Sequence, residues 1–403
     1  MVGSIDLYNY QRRLELSLRN MEDDPLVCTE DKASIASFSK VKLAKGSSAG
    51  RVAKVVYCLR YLSRWLKKPY NQATKDDLIA LVGGLEGNQN YSEYTKYDYK
   101  AVLKMYFKWL RGNDEEFPPE VKWLKIKLKN ENHKLPEDLL TEDEVLKLAN
   151  AANHPRDKAL ILVLYETGCR IGELLSLRMK HVHFDQYGAV LRVSGKTGDR
   201  RVRIISSAPT LASWIDIYER AKDPDAPLWL QRAHNHKNPL THIGHRGIYE
   251  LLRDLAKKAG VRKRIYPHLF RHSRATALAG KFTEAQMKEY FGWVQGSDMA
   301  ATYVHLSGRD VDDTLLRMHG LTTETNKEED KMKVRICQRC KEQNSPIAKF
   351  CTRCGQPMDA EFVSKLETER EKGDNLMNKL MEDKEFRELV MRKMAEPGFL
   401  ASK

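Results

Sequence analysis

Apolar residues recur every three or four positions along much of the chain, and this spacing predicts a mainly helical protein. The spacing is clearest over residues 52–66 and residues 99–110. Between these stretches, Thr74 and Asp77 stand three residues apart before another apolar run, which is the pattern of a capping box at a helix start. We therefore predict a small, all-helical domain in this part of the chain.

We assign residues 35–116 to this helical domain and residues 1–34 to an N-terminal extension. Residues 117–136 contain Pro-Pro and alternating Lys residues, which are typical of an extended linker. Helical spacing returns after the linker, where Thr141 and Glu144 form a second capping-box pattern. The sequence therefore predicts a second domain that begins near residue 137.

The apolar pattern changes from helical to alternating between residues 189 and 205. The segments AVLRV and RRVRII flank a Gly-containing turn, which predicts a β-hairpin. Helical spacing resumes near residue 209 and continues to about residue 318. We therefore predict an α+β domain with a small β-sheet over residues 137–320, in a multidomain, mainly α protein.

Four of the seven cysteines lie close together near the C-terminus, as two Cys-x2-Cys pairs separated by ten residues: Cys337, Cys340, Cys351 and Cys354. This spacing is typical of a zinc ribbon with a tetrahedral, structural Zn²⁺. Because all four ligands are Cys, no open catalytic position is expected. We assign the ribbon to residues 333–360 and a Glu- and Lys-rich helical tail to residues 361–403.

The composition narrows the functional classes. The 403-residue chain is 41% hydrophobic and 31% charged, as in water-soluble globular proteins. No run of 18 apolar residues is present, and the N-terminal sequence lacks the basic start and apolar core of a secretory signal. We therefore expect a cytoplasmic protein that makes no membrane contact.

The charge distribution favours a nucleic-acid partner. The formal net charge is +14 at pH 7, and residues 40–134 hold 20 Lys and Arg against 10 Asp and Glu. A basic helical domain can serve as a clamp that neutralises nucleic-acid phosphates. An ordinary solvated surface is the simpler alternative, and charge alone does not separate the two.

The informative residues of the second domain are Arg170, Lys196, His268, Arg271, Trp293 and Tyr303. A second Arg paired with a His is what a phosphate-transfer site without a metal ion would use. Arg170 follows a helix stop at Gly168 and begins the next helix, where backbone N–H groups favour anions. Glu173 stands one turn further on, where it could hold the guanidinium in place. His268 and Arg271 are three residues apart and share one helix face.

Each of these residues also has a simpler structural explanation. Arg170 and Glu173 could form a surface ion pair, Lys196 could be an exposed turn residue, and Trp293 could belong to the core. The Gly-Lys-Thr sequence around Lys196 is not a nucleotide-binding loop, because that motif needs a Gly at position 190, where this chain has Val190. Spacing alone leaves both readings open.

Six blocks occur in order between residues 139 and 308: LLTEDEV, YETGCRIGELLSLRMKHV, GKTGDRR, PHLFRHSRATAL, YFGW and ATYVHLSG. Together they resemble the tyrosine recombinase (phage integrase) family, especially integrases of archaea and their mobile elements. The resemblance covers roughly residues 40–315. It implies a helical, SAM-like core-binding domain followed by an α+β catalytic domain.

The resemblance also implies a role for each candidate residue. Tyr303 corresponds to the nucleophile, which attacks a DNA phosphodiester and forms a 3′-phosphotyrosyl link. Arg170 and Arg271 correspond to the arginines that stabilise the charge of the transition state. His268 corresponds to the base that activates the phenol, and Lys196 to the hairpin lysine that gives a proton to the leaving 5′-oxygen.

Trp293 stands where many family members have His, and it would donate a hydrogen bond to the phosphate. Glu173, His272 and His305 are expected to support these groups. The resemblance further implies double-stranded DNA as the substrate, a homotetramer on two paired sites, and no metal or ATP for catalysis. A short amphipathic helix after Tyr303 would dock on the next subunit or on its own domain.

Two other functions share parts of this pattern. A DNA-binding regulatory protein could keep the fold without cutting DNA, although all six catalytic positions are filled here. A topoisomerase IB-like enzyme would use the same nicking chemistry to relax DNA. The sequence gives neither the target site nor the direction of strand exchange, and it assigns no role to the ribbon or the tail.

Overall fold

A computed structural model describes most of the chain. The described residues are 9–112, 115–128, 136–195, 197–231, 242–304, 315–316, 318–319 and 331–394. They belong to two compact units, residues 1–135 and 136–403. Two predicted site residues, Lys196 and His305, lie outside the described residues. Most of the predicted helix after Tyr303 also lies outside them.

The described part of the first unit is helical. Its elements are α1 (Tyr10–Glu22), α2 (Thr29–Ala44), α3 (Ala49–Leu66), α4 (Lys75–Gly87), α5 (Glu93–Leu110) and α6 (Pro119–Lys122), with a short 3₁₀ turn at Tyr70–Gln72. The predicted helices over residues 52–66 and 99–110 are thereby confirmed. The capping box is also confirmed, because the Thr74 hydroxyl accepts a hydrogen bond from Asp77 N, and the Asp77 carboxylate accepts one from Thr74 N.

The helical domain starts earlier than the sequence analysis placed it. Leu14 and Met21 of α1 are buried in the same apolar core as Val56 of α3. The predicted boundary at residue 35 falls inside α2. Residues 10–34 are therefore part of the helical unit, because apolar side chains among them are buried in its core.

The predicted linker is also shorter than expected at its start. Residues 117–124 include α6, and the side chains of Val121 and Leu124 are buried in the core of the first unit. Val121 and Leu124 are three positions apart and therefore share one face of this helical turn, which packs against the core. The neighbouring Pro-Pro had predicted an extended linker here instead. Residues 125–128 follow without regular structure.

The second unit combines helices with a small sheet. Its first elements are α7 (Glu142–Ala151), α8 (Pro155–Thr167), α9 (Ile171–Leu175), β1 (Val182–Asp185), β2 (Gly188–Gly195), β3 (Gly198–Ile204) and α10 (Ala208–Asp216). These are followed by α11 (His245–Lys258), α12 (Pro267–Ala279), α13 (Glu284–Phe291) and α14 (Met299–Val304). Short 3₁₀ turns lie at Pro136–Asp138 and Met179–His181. This mainly helical architecture with a small sheet confirms the predicted fold class.

The sheet is antiparallel, in the order β1–β2–β3, and it confirms the predicted hairpin. Gly195 pairs with Gly198 at the turn that joins β2 to β3. Along β2, Leu191 and Val193 face the core, whereas Arg192 is exposed. This alternation is the one expected of a sheet with one face in the core and one in solvent.

The helix α8 lies at the centre of the second unit. Nearly all its residues are buried, and it packs against α7, α10, α12 and β3. The Glu166 carboxylate accepts hydrogen bonds from the backbone N–H groups of Ile205, Ser206 and Ser207, at 2.7 to 3.0 Å. It also accepts one from the Ser207 hydroxyl at 2.6 Å. A buried carboxylate therefore fixes where the chain leaves β3, and with it the orientation of the hairpin.

The cysteine-rich segment packs on the second unit. Its two strands, β4 (Arg335–Ile336) and β5 (Gln343–Asn344), pair antiparallel. The Ser345 hydroxyl, directly after β5, lies 2.7 Å from the Thr210 hydroxyl of α10. Lys331 N donates to the Glu142 carboxylate at 3.0 Å. The ribbon is thus attached at α7 and α10.

The tail consists of α15 (Ala360–Glu382) and α16 (Lys384–Met394), which confirms its predicted helical character. Neither helix contains a buried residue. Within the described residues, no helix combines the length and the apolar character needed to cross a membrane.

Replacing Glu166 with Ala is expected to lower the free energy of unfolding by about 3 kcal/mol, because three backbone N–H groups and one hydroxyl lose their acceptor. Urea unfolding followed by tryptophan fluorescence measures the change. The exposed Glu289, which belongs to the same unit, provides the control, and Glu289→Ala is expected to leave the transition within about 0.5 kcal/mol of wild type. Equal effects of the two substitutions would contradict the role given to Glu166.

Candidate active site

A sharp turn between α8 and α9 places Arg170. Gly168 ends α8 with φ +54°, and a Cβ at this position would lie 2.5 Å from the Phe291 ring. Gly is therefore required here both for its backbone conformation and for its lack of a side chain. The turn puts Arg170 at the N-cap of α9, with its side chain one-third exposed.

The carboxylate of Glu173 joins two guanidinium groups. It accepts a hydrogen bond from Arg170 Nη1 at 2.8 Å and one from Arg200 Nη2 at 2.7 Å. Glu173 and Arg200 are both buried. Burial by itself raises the pKa of Glu173, but the Arg200 and Arg170 guanidinium groups together lower it below its ordinary value. The carboxylate is therefore ionised at neutral pH and holds both cations in place.

Arg271 is buried, and its side chain is hydrogen-bonded to the main chain at the ends of α8 and α13. Its guanidinium donates to Gly168 O at 2.9 Å and to Phe291 O at 2.7 Å. Burial lowers the pKa of Arg271 to about 10, and the nearby positive charge of Arg170 acts in the same direction. Arg271 still carries its charge at pH 7. Two main-chain carbonyls therefore fix a cation beside Arg170 without neutralising it.

Tyr303 lies in an aromatic stack next to these cations. Its ring is parallel to that of Trp293, with 5.5 Å between the centroids, and the Arg271 guanidinium carbon lies 5.4 Å from the Trp293 ring centroid. Tyr303 and Trp293 are both buried. Burial raises the pKa of Tyr303, and the charge of Arg271 offsets part of this effect. The phenol is therefore protonated at neutral pH.

The hydrogen-bond partner of the phenol differs from the expected one. The Tyr303 hydroxyl is bonded to His272 Nδ1, whereas His268 is exposed and its ring centroid lies 6.1 Å from that of His272. The two histidines stand four residues apart on α12 and so share a face of the helix. The structure therefore brings His272, which was assigned a supporting role, into direct contact with the predicted nucleophile.

The hairpin turn reaches the same region. The Thr197 hydroxyl, next to Lys196, donates to Gly292 O at 3.0 Å, and Arg170 lies 3.4 Å from the same oxygen. Gly292 has φ +61°, and a Cβ there would lie 2.7 Å from Arg200 Nη1. The structure thus brings Arg170, Arg271, Trp293 and Tyr303 together with the flank of the hairpin turn.

Arg200 is the residue that the sequence analysis missed. Besides its bond to Glu173, it donates to Tyr290 O at 3.0 Å, just before the Gly292 turn. A charged residue in a strand usually marks the solvent face. Arg200 instead shares its parity with Val202 and Ile204, which face the core, and this parity was the available signal.

The four cysteines of the ribbon form a separate cluster. Their sulfur atoms all lie within 4.8 Å of one another, as the ligands of one tetrahedral ion must. Asn344 Nδ2 lies 3.6 Å from Cys351 Sγ, which is the kind of outer contact that orients a metal ligand. This donor set of four thiolates fits Zn²⁺ in a closed, structural site.

Replacing Glu173 with Gln is expected to lower the free energy of unfolding by about 3 kcal/mol at pH 7, because Arg200 stays buried without a counter-ion. A folded-state pKa below the ordinary value of 4.5 means that this stabilisation is present above pH 4.5 and is lost as the pH falls through the folded pKa. The difference between wild type and variant should therefore shrink in acid.

Urea unfolding at pH 7 and near pH 4 tests this expectation. Glu219, an exposed residue of the same unit, provides the control, and Glu219→Gln should show no such pH-dependent difference. A gap between wild type and the Glu173 variant that is constant over this range would contradict the assigned pKa shift.

The chain matches known proteins over the region just described. It matches the phage integrase family over residues 138–309. It is 32% identical to the tyrosine recombinase XerA of Pyrococcus horikoshii over 248 residues, which is 60% of this chain and 79% of that protein. It is also 28% identical to a tyrosine recombinase of Thermosipho africanus over 268 residues, which is 64% of this chain and 88% of that protein.

Solved structures agree on the fold. A Tn1549 transposon integrase in complex with transposon right end DNA superposes with a TM-score of 0.56 at 17% identity, covering 71% of this chain and 99% of that one. A lambda integrase bound to a core site gives 0.55 at 16% identity, covering 69% of this chain and 77% of that one. On the strength of the XerA match and the fold, this chain belongs to the phage integrase family of tyrosine recombinases.

Proposed function

We propose that the protein is a site-specific recombinase that cuts and rejoins double-stranded DNA through Tyr303. One observation carries the proposal: a buried phenol, bonded to a histidine, lies in one cluster with two arginines whose positions are fixed by neighbouring groups. Arg170 lies at the N-cap of α9, Arg271 and His272 belong to α12, and Tyr303 belongs to α14. A phosphodiester in this cluster would meet a nucleophile and two cations together.

The arginines act on the charge that develops during the reaction. Attack by the Tyr303 oxygen on phosphorus forms a five-coordinate transition state with added negative charge on the non-bridging oxygens. Arg170 and Arg271 offer hydrogen bonds and positive charge to these oxygens, and their positions are set before DNA binds. Preorganised donors of this kind are worth on the order of 3 kcal/mol each.

Proton transfer needs a base and an acid. The raised pKa of Tyr303 means that the phenol keeps its proton at pH 7, and His272 Nδ1 is the ring nitrogen in hydrogen-bond contact with its hydroxyl. We assign the base role to His272 and place the exposed His268 and the Trp293 N–H at the phosphate. Lys196, next to the hairpin turn, would give a proton to the leaving 5′-oxygen.

The products explain why no energy source is needed. A bond forms between the Tyr303 oxygen and phosphorus, and the bond from phosphorus to the 5′-oxygen breaks. The resulting 3′-phosphotyrosyl link keeps the ester. A 5′-hydroxyl from another strand then attacks it, restores a DNA phosphodiester and returns the phenol, so neither ATP nor a metal takes part.

The assembly that we propose is a homotetramer on two DNA sites. Among the structural neighbours is a lambda integrase tetramer bound to a Holliday junction, which aligns with a TM-score of 0.50 at 15% identity. The first unit, with its excess of Lys and Arg, would clamp the duplex. We place the protein at DNA in the cytoplasm, and its similarity to a Pyrococcus XerA favours an archaeal-type integrase, such as one carried by a mobile element.

Replacing Tyr303 with Phe is expected to abolish covalent attachment to DNA, because the attacking oxygen is lost while the aromatic stack remains. A suicide substrate with a nick near the crossover point traps the attached protein, which denaturing gels then count. Tyr249→Phe, at an exposed tyrosine of the same unit, is the control and should react as wild type does.

The wild type separates the competing functions in the same assay. If wild-type protein binds the duplex but never becomes attached, the protein is a DNA-binding regulator and the proposal fails. If it becomes attached and relaxes supercoils but exchanges no strands between two sites, it is a topoisomerase. Attachment that persists in Tyr303→Phe would assign the nucleophile elsewhere.

We further propose that the four cysteines hold one structural Zn²⁺. The ion would cross-link the two short strands of the ribbon, which lack a sizeable apolar core of their own. The hydrogen bonds that the ribbon makes to Thr210 and Glu142 would then hold it on the second unit.

Metal analysis of the purified protein is expected to give one zinc per chain. The double substitution Cys351→Ser/Cys354→Ser should bind no zinc and should make the ribbon sensitive to protease, because a structural site supplies much of the folding free energy of such modules. Cys58→Ser, at a cysteine far from the ribbon in sequence, should keep the zinc. Full zinc content in the double variant would contradict this site.

A further inference from the structure

Two arginines lie directly opposite each other on the solvent face of the hairpin. Arg192 of β2 pairs in register with Arg201 of β3, and both side chains are exposed. Like charges in this position destabilise a sheet. Within the described part of the chain, no carboxylate lies within ion-pair distance of either guanidinium. This pair therefore places two positive charges side by side without an ion-pair partner among the described residues.

The neighbouring cations on the same surface are compensated. Arg203, two residues from Arg201 on the same face of β3, donates to both Asp185 oxygens at 2.9 and 2.8 Å. Lys180 donates to Asp225 at 2.6 Å. If the surface had only a general surplus of positive charge, Arg203 and Lys180 would lack ion-pair partners just as Arg192 and Arg201 do. Arg192 and Arg201 differ from them, because neither forms an ion pair within the described residues, although the charge of Arg201 acts on the Asp185 carboxylate from a distance.

The arginine pair borders a pocket of about 540 Å³. Lys180, His181 and Ser194 also line it, and Asp199 is the carboxylate among its lining residues. Burial lowers the pKa of His181, and the positive charges of Lys180, Arg178 and Arg192 lower it further, against a smaller opposite effect of Asp199. The pocket is therefore electropositive, has hydrogen-bond donors, and is large enough for a phosphate group.

We propose that Arg192 and Arg201 bind a backbone phosphate of the DNA duplex in this pocket. The proposal rests on the function proposed above and adds a second phosphate site to it. By strand rise, the pair lies about 10 Å from the Gly195–Gly198 turn, so the same duplex can reach both. Two guanidinium forks match the oxygens of one phosphodiester and would relieve the repulsion between them.

The site would position the DNA rather than react with it. Phosphate contacts fix the register of a protein on a duplex and carry no sequence information. The turn that joins β2 to β3 includes Lys196 in its sequence. A phosphate held at the solvent face of these strands would therefore fix where the turn meets the DNA. Loss of the site should therefore weaken binding while leaving the chemistry of bound DNA unchanged.

Arg203 offers a matched control for the test. Arg201→Gln and Arg203→Gln remove the same charge from the same face of the same strand, but only Arg201 is unpaired. Duplex affinity is measured for full-length protein across 50 to 200 mM salt, and covalent attachment is measured with a suicide substrate at saturating protein. Circular dichroism and thermal unfolding check that each variant is folded.

For Arg201→Gln we expect the slope of log affinity against log salt to fall by about one. Its deficit relative to wild type should accordingly be about threefold larger at 50 mM than at 200 mM salt. Arg203→Gln should keep the wild-type slope, and Arg192→Gln/Arg201→Gln should fall further than the single variant. Attachment at saturation should match wild type for all three.

Duplexes with a single neutral methylphosphonate locate the contact. At one position outside the scissile phosphate, the methylphosphonate should lower the affinity of wild type. The same methylphosphonate should not lower the affinity of Arg192→Gln/Arg201→Gln any further, because that variant already lacks the contact. The phosphate site is wrong if Arg201→Gln keeps the wild-type salt slope, or if Arg201→Gln and Arg203→Gln lose equal affinity for the duplex. The recombinase function stands in either case. A wild type that never attaches to DNA overturns the function instead.

Free phosphate is the remaining source of the same ligand chemistry. Thermal unfolding in inorganic phosphate, compared with chloride at equal ionic strength, measures binding of the small anion. Stabilisation that depends on Arg201, together with an unchanged DNA slope, would overturn the proposal in favour of a small-anion site.

Discussion

The carboxylate of Glu173 is the contact on which the arrangement of the site depends. It lies between the guanidinium groups of Arg170 and Arg200, and burial of the carboxylate and of Arg200 makes each interaction hard to break. Arg200 in turn holds the Tyr290 carbonyl, so one carboxylate links α9, β3 and the end of α13. Arg170, the first of the two proposed catalytic cations, is thereby set in place by the fold itself.

Arg271 is fixed by a different means, which has an energetic cost. A guanidinium buried against two carbonyls and an aromatic ring forms no ion pair within the described residues. Burial and the charge of Arg170 lower its pKa, and the Glu173 carboxylate offsets only part of this effect from a distance. A bound phosphodiester would supply the missing negative charge. The same reasoning applies on the solvent face of the hairpin, where Arg192 and Arg201 have no ion-pair partner among the described residues, and in both places the proposed partner is a phosphate of the DNA backbone.

The sequence patterns predicted those parts of the fold that depend on residues close together in the chain. The capping boxes at Thr74 and Thr141, the stop at Gly168 and the hairpin follow from short-range hydrogen bonds and strand alternation, and the structure contains them all. The N-terminal helices were missed as part of the domain, because burial of Leu14 and Met21 depends on a partner helix far along the chain.

The site residues show the same division. The ordered motifs were enough to bring Arg170, Arg271, Trp293 and Tyr303 into one hypothesis. They could not tell which histidine meets the phenol, because His268 and His272 share a helix face and only the packing of α14 chooses between them. The role of Arg200 was equally hidden, since a strand arginine is buried only when a distant carboxylate such as Glu173 receives it.

The proposed mechanism requires fixed cations to stabilise negative charge on the non-bridging oxygens while Tyr303 attacks. Single-turnover cleavage by Arg170→Ala tests it most directly, with a natural phosphodiester and with a neutral methylphosphonate at the scissile position. We predict a loss on the order of a hundredfold on the phosphodiester and a much smaller one on the methylphosphonate, which lacks one of the charged non-bridging oxygens and carries one negative charge less in the transition state. An equal loss on both substrates would contradict the account.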